Sequence, residues 1–376
     1  MVNSLSFHYP PQYTVNPIPS YAPPVPSLRE GLGGFSAGAI QAGADVVLGV
    51  DSDPAPLKLW GVNVPGAAAS LSTLGAGWDH EASLPPPAPD LHIHASSPCT
   101  DLSCARGASV TADDIQRGVA MLAWCLDLVL QRGDYSWSIE NVSTIVTRNV
   151  LSDYTTRFPT RVAYASLDAA SYGACQTRVR LIAGPPELIR KLQEMPPARR
   201  VSVRDAFSAA GLEVPAPCFK NQTRSRSGGP CKRTVEELSF TVCASHGLTW
   251  CSNKGETLRV MTGRESGILM GFPLEWRLPP GSRAGQRAVG NAVCTAMSRA
   301  MTQAAISVQT GETLVQTHST QSPTRELPPL NYSNDAPDDR GAYRRLRKRV
   351  RTLEHMVSNL QTSLQLSMSG QHASAS

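Results

Sequence analysis

The stretch LREGLGGFSAGAIQAGADVVLGVD, residues 28–51, decides the fold class predicted for this chain. Its glycine-rich turn 31–34 permits a tight change of chain direction, and Phe35–Ala42 has the pattern of a short helix. Ala44–Val50 then predicts a buried strand that ends at an acid, Asp51. A turn, a helix and a buried strand in this order are typical of an alternating α/β fold.

The same alternation continues along the chain. The further predicted elements are the strands Leu91–Ala95, Tyr135–Ile139, Val162–Leu167 and Val179–Ala183 and the helix Ile115–Leu130. This order predicts an α/β fold with a doubly wound, mostly parallel sheet. Ligands bind such sheets at the carboxyl ends of the strands. Asp51, Cys99 and Glu140 all follow predicted strand ends, so we expect them to share one edge of the sheet.

Composition excludes several classes of protein. The nine cysteines are an odd number without a close Cys-x-x-Cys pair, which predicts free thiols in a reducing, intracellular compartment. Only Cys243 and His246 have a metal-like spacing, so we predict no metal site. The chain has no apolar run long enough to span a bilayer and no signal-peptide pattern at its start.

Four short motifs carry the chemistry: Pro98-Cys99, Glu140-Asn141-Val142, Gln176-Thr177-Arg178-Val179-Arg180 and Gly290-Asn291-Ala292-Val293. They offer a thiol nucleophile, an acid, two arginines and a glycine-containing loop. Each alone has an ordinary interpretation. A cysteine is often a small buried apolar residue, a Glu-Asn pair after a strand is usually a turn, and alternate arginines usually lie on a solvated strand edge.

In this order the four motifs resemble those of the cytosine-5 DNA methyltransferases. The resemblance covers residues 27–306 and implies a Rossmann-like methyltransferase fold. It also implies that Cys99 adds to carbon 6 of cytosine, that Glu140 protonates the ring, and that Arg180, supported by Arg178, holds the ring carbonyl. The implied cofactor is S-adenosylmethionine. Its binding residues would be Gly31, Gly33, Gly34, Asp51, Pro98 and Asn291.

Three departures from the family pattern lie on the cofactor side. Ser27 and Arg29 occupy the places of an acid and an aromatic residue, and they follow Pro26, which is poorly tolerated in a central strand. Ser70 and its neighbour replace an acid expected to meet the adenine, and Cys294 stands where proline is frequent. We therefore predict an active enzyme with weak affinity for S-adenosylmethionine.

The resemblance and the composition together predict the domain organisation. A proline-rich, disordered tail spans 1–26, the catalytic domain spans 27–214 and 258–306, a small target-recognition region spans 215–257, and a linker spans 307–342. Residues 343–366 form a predicted helix with apolar residues at 3-4 spacing. That spacing predicts a three-heptad coiled coil and a homodimer, with a helix docked on the main domain as the alternative.

Two alternatives to DNA methylation remain open at this point. The tRNA cytosine-5 methyltransferases share the same chemistry, and a catalytically weak DNA-binding regulator could keep the same fold. DNA is the predicted partner. Six arginines and lysines within 344–351 could contact phosphates or act as a nuclear import signal, which would place the protein in a nucleus in a eukaryotic host.

Overall fold

The computed structural model describes residues 22–311 except 76–77, 80–82, 104–109, 134–135 and 225–229. The predicted linker 307–342 begins too early, because residues 307–310 belong to the helix Thr295–Thr310. The rest of that linker beyond residue 311 and the predicted coiled-coil helix 343–366 lie outside the described residues, as does most of the predicted tail. The homodimer therefore stays a prediction.

Eleven strands and nine α-helices are found in the described part. The strands are β1 Pro24–Leu28, β2 Asp45–Asp51, β3 Ala68–Leu71, β4 His92–Ser96, β5 Ser136–Val142, β6 Ala163–Asp168, β7 Val179–Gly184, β8 Cys218–Arg224, β9 Pro230–Thr234, β10 Thr249–Cys251 and β11 Thr257–Val260. The helices are α1 Gly34–Gln41, α2 Pro54–Asn63, α3 Ala112–Arg132, α4 Ile145–Arg157, α5 Pro186–Glu194, α6 Val203–Ala209, α7 Gly263–Met270, α8 Ser282–Asn291 and α9 Thr295–Thr310.

The large sheet has the order β3-β2-β1-β4-β5-β7-β6. Only β7 runs antiparallel to its neighbours, and the other neighbouring strands are parallel. The predicted doubly wound, mostly parallel α/β fold is therefore confirmed. The strand order reverses between β1 and β4, so the carboxyl ends of these two strands form the crevice in which such sheets bind ligands.

The apolar core consists of two clusters of buried side chains. On β7, Leu181 and Ala183 belong to one cluster while Ile182 belongs to the other. Because successive side chains of a strand point to opposite faces of a sheet, the two clusters cover the two faces. The first is shared with α1, α5 and α9, and the second with α3 and α4.

The first strand corrects the predicted tail boundary. β1 begins at Pro24, so residues 24–26 are part of the sheet and not of a disordered tail. Pro26 lies in the central strand β1, although proline is expected to be poorly tolerated in such a strand. A register shift between Val25 and Pro26 interrupts the pairing with β2, and pairing with β4 starts only at Ser27. The missing N–H of proline is accommodated at this irregularity.

The region after residue 214 is more regular than predicted. β8, β9, β10 and β11 form a four-stranded antiparallel sheet in the order β11-β10-β8-β9. The predicted boundary at 257 falls inside β11, which ends at Val260. The strands are short, and β11 is exposed along its length although Leu258 and Val260 alternate with polar residues in its sequence. Phe219 and Trp250 are fully buried and supply the core of this small sheet.

A row of buried polar side chains crosses β4 and β5. The ring nitrogens of His92 lie 2.7 Å and 3.0 Å from the hydroxyls of Ser136 and Ser138. Those of His94 lie 2.9 Å and 2.8 Å from the hydroxyls of Ser138 and Ser96. Both histidines are fully buried. A hydroxyl can donate or accept, so these partners satisfy neutral rings and leave no counter-charge for a protonated one.

This row predicts loss of stability in acid. Burial lowers the pKa of His92 to about 3, from 6.5 in the absence of burial. Below pH 6.5 the unfolded chain therefore binds a proton that the folded chain does not, and stability falls as the pH falls. From pH 7.5 to pH 5 we expect His92 alone to cost about 2 kcal/mol of unfolding free energy.

Urea unfolding at the two pH values measures this loss. His246→Gln, which changes a partly exposed histidine, is the matched control and is expected to keep the wild-type pH dependence. His92→Gln is expected to lower stability at neutral pH and to weaken the pH dependence. Equal unfolding free energies of the wild type at both pH values would contradict the neutral buried row.

Candidate active site

The loop after β4 carries Cys99. Its conformation is fixed at two points. The backbone N–H of Leu102 donates to the carbonyl of Cys99 at 3.1 Å, and the Leu102 side chain packs on α3 at Gly118. The amide of Asn141 on β5 donates to the hydroxyl of Ser97 at 2.6 Å. Asn141 therefore ties the cysteine loop to the strand that carries the candidate acid.

Glu140 and Arg180 form a buried ion pair. The distance from Arg180 Nε to Glu140 Oε1 is 2.9 Å, with 14% and 9% of the side chains exposed. Val142 on β5 lies opposite Arg180 on β7, which places both charged groups at the same end of the two strands. Glu140 lies inside β5 and not after it as predicted, because the strand continues to Val142. The two predicted residues are brought together.

The ion pair also lies near Cys99. Burial is the largest influence on this thiol and raises its pKa, and the charge of Glu140 raises it further. The charges of Arg180 and Arg178 act in the opposite direction. Cys99, Glu140 and Arg180 thus form one electrostatic cluster. Because the pKa is raised, the thiol is protonated at neutral pH in the absence of substrate.

Arg178 has partners of a different kind. Its guanidinium donates to the backbone carbonyls of Val242 at 2.9 Å, Gly290 at 3.2 Å and Ala292 at 2.9 Å. The residue is 3% exposed, and burial lowers its pKa to about 10. Instead of holding a ligand, Arg178 joins the segment before β7 to the segments that follow β9 and α8. The geometry gives it a positioning role.

Gln176 reinforces this connection. Its side-chain oxygen accepts from the N–H of Val242 at 3.1 Å, and its amide donates to the carbonyl of Leu269 at 2.9 Å. A Cβ atom on Gly290 would lie 2.3 Å from the backbone nitrogen of Ala244, so the end of α8 touches the same segment. The small sheet β8–β11 is therefore held next to the active site by three residues: Gln176, Arg178 and Gly290.

The glycine turn after β1 has one open position. Gly31 has a φ of +55°, and its N–H donates to Asp51 Oδ2 at 2.8 Å. A Cβ atom on Gly31 would meet nothing within 4 Å. Asp51 Oδ1 accepts from the N–H of Asp53 at 2.9 Å. An open space beside a fixed carboxylate at the carboxyl end of β2 fits the ribose of a nucleoside cofactor.

Gly33 and Gly34 are required by packing. A Cβ atom on Gly33 would lie 2.8 Å from the ring of Trp276 and 2.9 Å from that of Trp60. One on Gly34 would lie 2.2 Å from the carbonyl oxygen of Val293. Of the three glycines predicted to bind a cofactor, only Gly31 faces open space. The absence of a side chain at Gly34 instead allows the motif at 290–293 to pack closely against the glycine turn.

Pro98 and Asn291 lie on the same side of the molecule as Cys99. Pro98 is half-buried directly before the cysteine, and Asn291 is exposed at the end of α8. Asn291 lines a cavity together with Thr100, which follows Cys99 in the chain. The structure therefore brings Asn291 to the cysteine loop.

Glu30 is a residue that the sequence analysis missed. Its carboxylate accepts from the hydroxyl of Ser27 through Oε2 and from the N–H of Ser36 through Oε1 at 3.0 Å. Glu30 is 5% exposed, and burial raises its pKa. The acid expected at position 27 is thus replaced by one three residues later in the same turn. The signal in the sequence that could have identified Glu30 was the presence of an acid directly before the glycine-rich turn 31–34.

These contacts predict the effect of removing the Asp51 charge. Asp51→Asn replaces one carboxylate oxygen by an amide, so the turn loses an acceptor and the open space loses its charge. We expect binding of S-adenosylhomocysteine to weaken by about tenfold or more, since a hydrogen bond to a charged group contributes about 1.5–3 kcal/mol. Titration calorimetry measures it. Asp53→Asn, on an exposed helix cap, is the control. Unchanged affinity in Asp51→Asn would remove Asp51 from the cofactor site.

A family model matches the part of the chain that contains the catalytic motifs. Residues 25–184 match the family model of the C-5 cytosine-specific DNA methylases. The resemblance predicted from the motifs is confirmed over these residues. S-adenosylmethionine is the cofactor of this family, and Gly31 and Asp51 fit it. No curated protein has a significantly similar sequence.

One solved structure with a TM-score above 0.5 shares the fold, and two others are similar at lower scores. An E. coli prophage-encoded protein described as a DNA modification methyltransferase is 17% identical, with a TM-score of 0.55, and the alignment covers 77% of this chain and 100% of that one. The Dnmt2 structure from Spodoptera frugiperda is 15% identical at a TM-score of 0.49, covering 76% of this chain and 100% of that one. The S. pombe Dnmt2 methyltransferase is 17% identical at a TM-score of 0.47, covering 74% and 97%.

The described residues contain neither a metal-binding cluster nor a membrane-spanning helix. Among them, no group of three or more His, Cys, Asp or Glu side chains could hold a metal ion. None of the helices between residues 22 and 311 is both long and apolar enough to cross a membrane.

Proposed function

We propose that this methyltransferase modifies carbon 5 of cytosine in DNA through a covalent adduct at Cys99. The observation that carries the proposal is the buried Glu140–Arg180 ion pair, 2.9 Å between Nε and Oε1, in the electrostatic cluster of the half-buried Cys99. A nucleophile, a proton donor and a carbonyl ligand are the three groups that this reaction requires of the protein.

The reaction uses these groups in sequence. Cys99 Sγ loses its proton to solvent water and forms a bond to carbon 6 of the ring, and the electrons of the 5,6 double bond move towards the ring nitrogen and carbonyl. Glu140 takes up a proton from solvent when the ring is bound and holds it at ring nitrogen 3, while Arg180 donates to the carbonyl at position 2. The negative charge that builds up on the ring is thereby neutralised, and carbon 5 becomes nucleophilic.

The cofactor completes the electron balance. S-adenosylmethionine supplies, when bound, an electrophilic methyl group on its sulfonium. Once carbon 5 has gained the methyl group and S-adenosylhomocysteine is left as the neutral thioether, carbon 5 loses its hydrogen as a proton to solvent water. The electrons of that C–H bond restore the double bond and break the bond between sulfur and carbon 6. Cys99 is regenerated, so one cysteine serves every turnover.

A cavity next to the ion pair offers room for the target nucleotide. It has a volume of about 450 Å³ and is lined by Ser103, Val142, Ser143, Thr144, Thr177, Val179, Arg180 and Thr241. The lining joins the cysteine loop to the two strands of the ion pair, and it is rich in hydroxyl groups. A cytosine flipped out of a duplex would reach Cys99 from such a cavity.

The small antiparallel sheet 218–260 is the proposed target-recognition region. Gln176 and Arg178 join it to the active site. A movement of this sheet would therefore displace Arg180, which lies two residues after Arg178. Its strands are three to seven residues long. A surface of this size contacts only a few base pairs, and we expect a short recognition sequence.

The choice of DNA is supported by the description of the matched family. Incubation with labelled S-adenosylmethionine and either duplex DNA or tRNA tests it. We expect label in cytosine of DNA and none above background in tRNA, and no label with Cys99→Ala. Label in tRNA alone would replace the proposal by tRNA methylation. Absence of label in both substrates, with duplex binding intact, would favour a regulator that keeps the fold.

A further inference from the structure

A second cavity lies on the other side of the cysteine loop. It has a volume of about 680 Å³ and is lined by Thr100, Ala244, Ser245, Arg283, Arg287 and Asn291. The lining contains two cationic side chains, an amide and two hydroxyls, and no acid. Such a set of donors fits an anion with several oxygens.

The two arginines face this cavity because of the way α8 is packed. Arg283, Arg287 and Asn291 are spaced four residues apart and therefore share one face of the helix. The opposite side is fixed: Val289 is fully buried, and the Gln286 amide donates to the carbonyl of Cys243 at 3.0 Å. The polar face is thus presented by a helix that cannot rotate.

Neither arginine has a carboxylate partner among the described residues. Arg283 and Arg287 are both exposed, and no acid of the described chain lies within ion-pair distance of either. Two like charges one helical turn apart destabilise a helix slightly. Other arginines of this protein, such as Arg190 between Glu187 and Glu194, are paired. An anion from outside the chain would remove the repulsion.

The position of the cavity identifies that anion. Thr100 follows the nucleophile Cys99 directly, and Ser245 belongs to the segment between β9 and β10 of the small sheet. A nucleotide whose ring is attacked by Cys99 carries a phosphate on each side, within one nucleotide of the ring. Neither Gly31 nor Asp51 lines this cavity, so the residues that fit the cofactor ribose lie elsewhere.

We propose that Arg283 and Arg287, with Thr100 and Ser245, bind a phosphodiester group of the substrate strand next to the target cytosine. The inference rests on the proposed function and names the residues that hold the strand while the base is out of the helix. Arginine suits the task because its planar guanidinium can bind two phosphate oxygens at once. Such contacts position the strand without reading its sequence.

The test compares duplex binding across a salt series for the full chain and for the variant Arg283→Gln/Arg287→Gln. We expect affinity to fall by on the order of tenfold per arginine near 0.1 M salt, equally for different sequences. The slope of log affinity against log salt is expected to decrease by about one unit per arginine. Affinity for S-adenosylhomocysteine, measured by calorimetry, is expected to stay unchanged.

Two further variants make the result interpretable. Arg190→Gln/Arg199→Gln removes the same charge outside the cavity and is expected to keep the wild-type slope. Arg283→Lys/Arg287→Lys keeps the charge and is expected to restore most of the slope, which a fold-damaging substitution would not. Thermal unfolding checks that all variants fold.

Three outcomes would overturn the inference: an unchanged slope in the glutamine variant, an equal loss in the control, or a loss of cofactor-product affinity in place of duplex affinity. The last would mean that the arginines hold the cofactor carboxylate. If the arginines control the slope while Cys99 forms no adduct with DNA, the proposed function fails and the phosphate site stands. If the adduct forms and the slope is unchanged, only the phosphate site fails.

Discussion

Glu140→Gln is expected to lower the turnover of cytosine methylation by about 10²–10⁴-fold, the usual contribution of a positioned general acid. The glutamine keeps the size of the side chain and can still accept a hydrogen bond from Arg180. It cannot hold a proton at the ring nitrogen as a carboxyl group does. Steady-state transfer of label from S-adenosylmethionine to duplex DNA measures the loss.

The same substitution is expected to make Cys99 more reactive. The negative charge of Glu140 raises the pKa of this thiol, so its removal lowers the pKa and increases the thiolate fraction at pH 7.5. Alkylation of Cys99 by iodoacetamide is therefore expected to be faster in Glu140→Gln, and slower in Arg180→Gln, where a charge that lowers the pKa is lost. Glu187→Gln on the exposed face of α5 is the control. Slower alkylation in Glu140→Gln would contradict this electrostatic cluster.

Arg178→Met is expected to lower the free energy of unfolding by at least about 3 kcal/mol. The substitution leaves the carbonyls of Val242, Gly290 and Ala292 without their donor in a buried place. Each unsatisfied buried group costs about 1–3 kcal/mol, and a hydrogen bond from a charged group contributes about 1.5–3 kcal/mol. Urea unfolding monitored by tryptophan fluorescence measures the change.

Arg180→Met is the matched comparison. Arg180 has a single carboxylate partner and lines the open cavity beside Cys99. Compared with Arg178→Met, we therefore expect Arg180→Met to lower the free energy of unfolding less and the methylation activity more. Arg178→Lys is expected to lie between the wild type and Arg178→Met, because an ammonium keeps the charge but cannot reach three carbonyls in the fork of a guanidinium. Wild-type stability of Arg178→Met would contradict its positioning role.

The sheet and the position of the catalytic cluster could be predicted because they depend on local pattern. Buried strands and helices alternate visibly from residue 28 to residue 183, and the order of a parallel sheet brings successive strand ends to one edge. Cys99 follows β4, Glu140 lies near the end of the neighbouring β5, and Arg180 lies near the start of β7 beside it. Their proximity follows from the alternation together with the motifs.

Other features depend on contacts between distant segments and carry no local signal. Arg178 and Arg180 have the same spacing as any alternate pair on a strand, and only the return of residues 242 and 290–292 distinguishes their roles. Gly33 and Gly34 read as a ligand loop but are required by two tryptophans and by Val293. Glu30 restores an acid that the motif comparison counted as missing. The small sheet was hidden by its short, partly exposed strands.

The central claim is that Cys99 attacks carbon 6 of cytosine in DNA, and trapping with 5-fluorocytosine tests it most directly. Fluorine at carbon 5 cannot leave as a proton does, so the adduct cannot eliminate. We expect the full chain, incubated with S-adenosylmethionine and a duplex containing 5-fluorocytosine, to form a complex that survives denaturing gel electrophoresis. Cys99→Ala is expected to abolish this complex, while Cys104→Ala and Cys125→Ala keep it. A complex that persists in Cys99→Ala would contradict the assigned nucleophile.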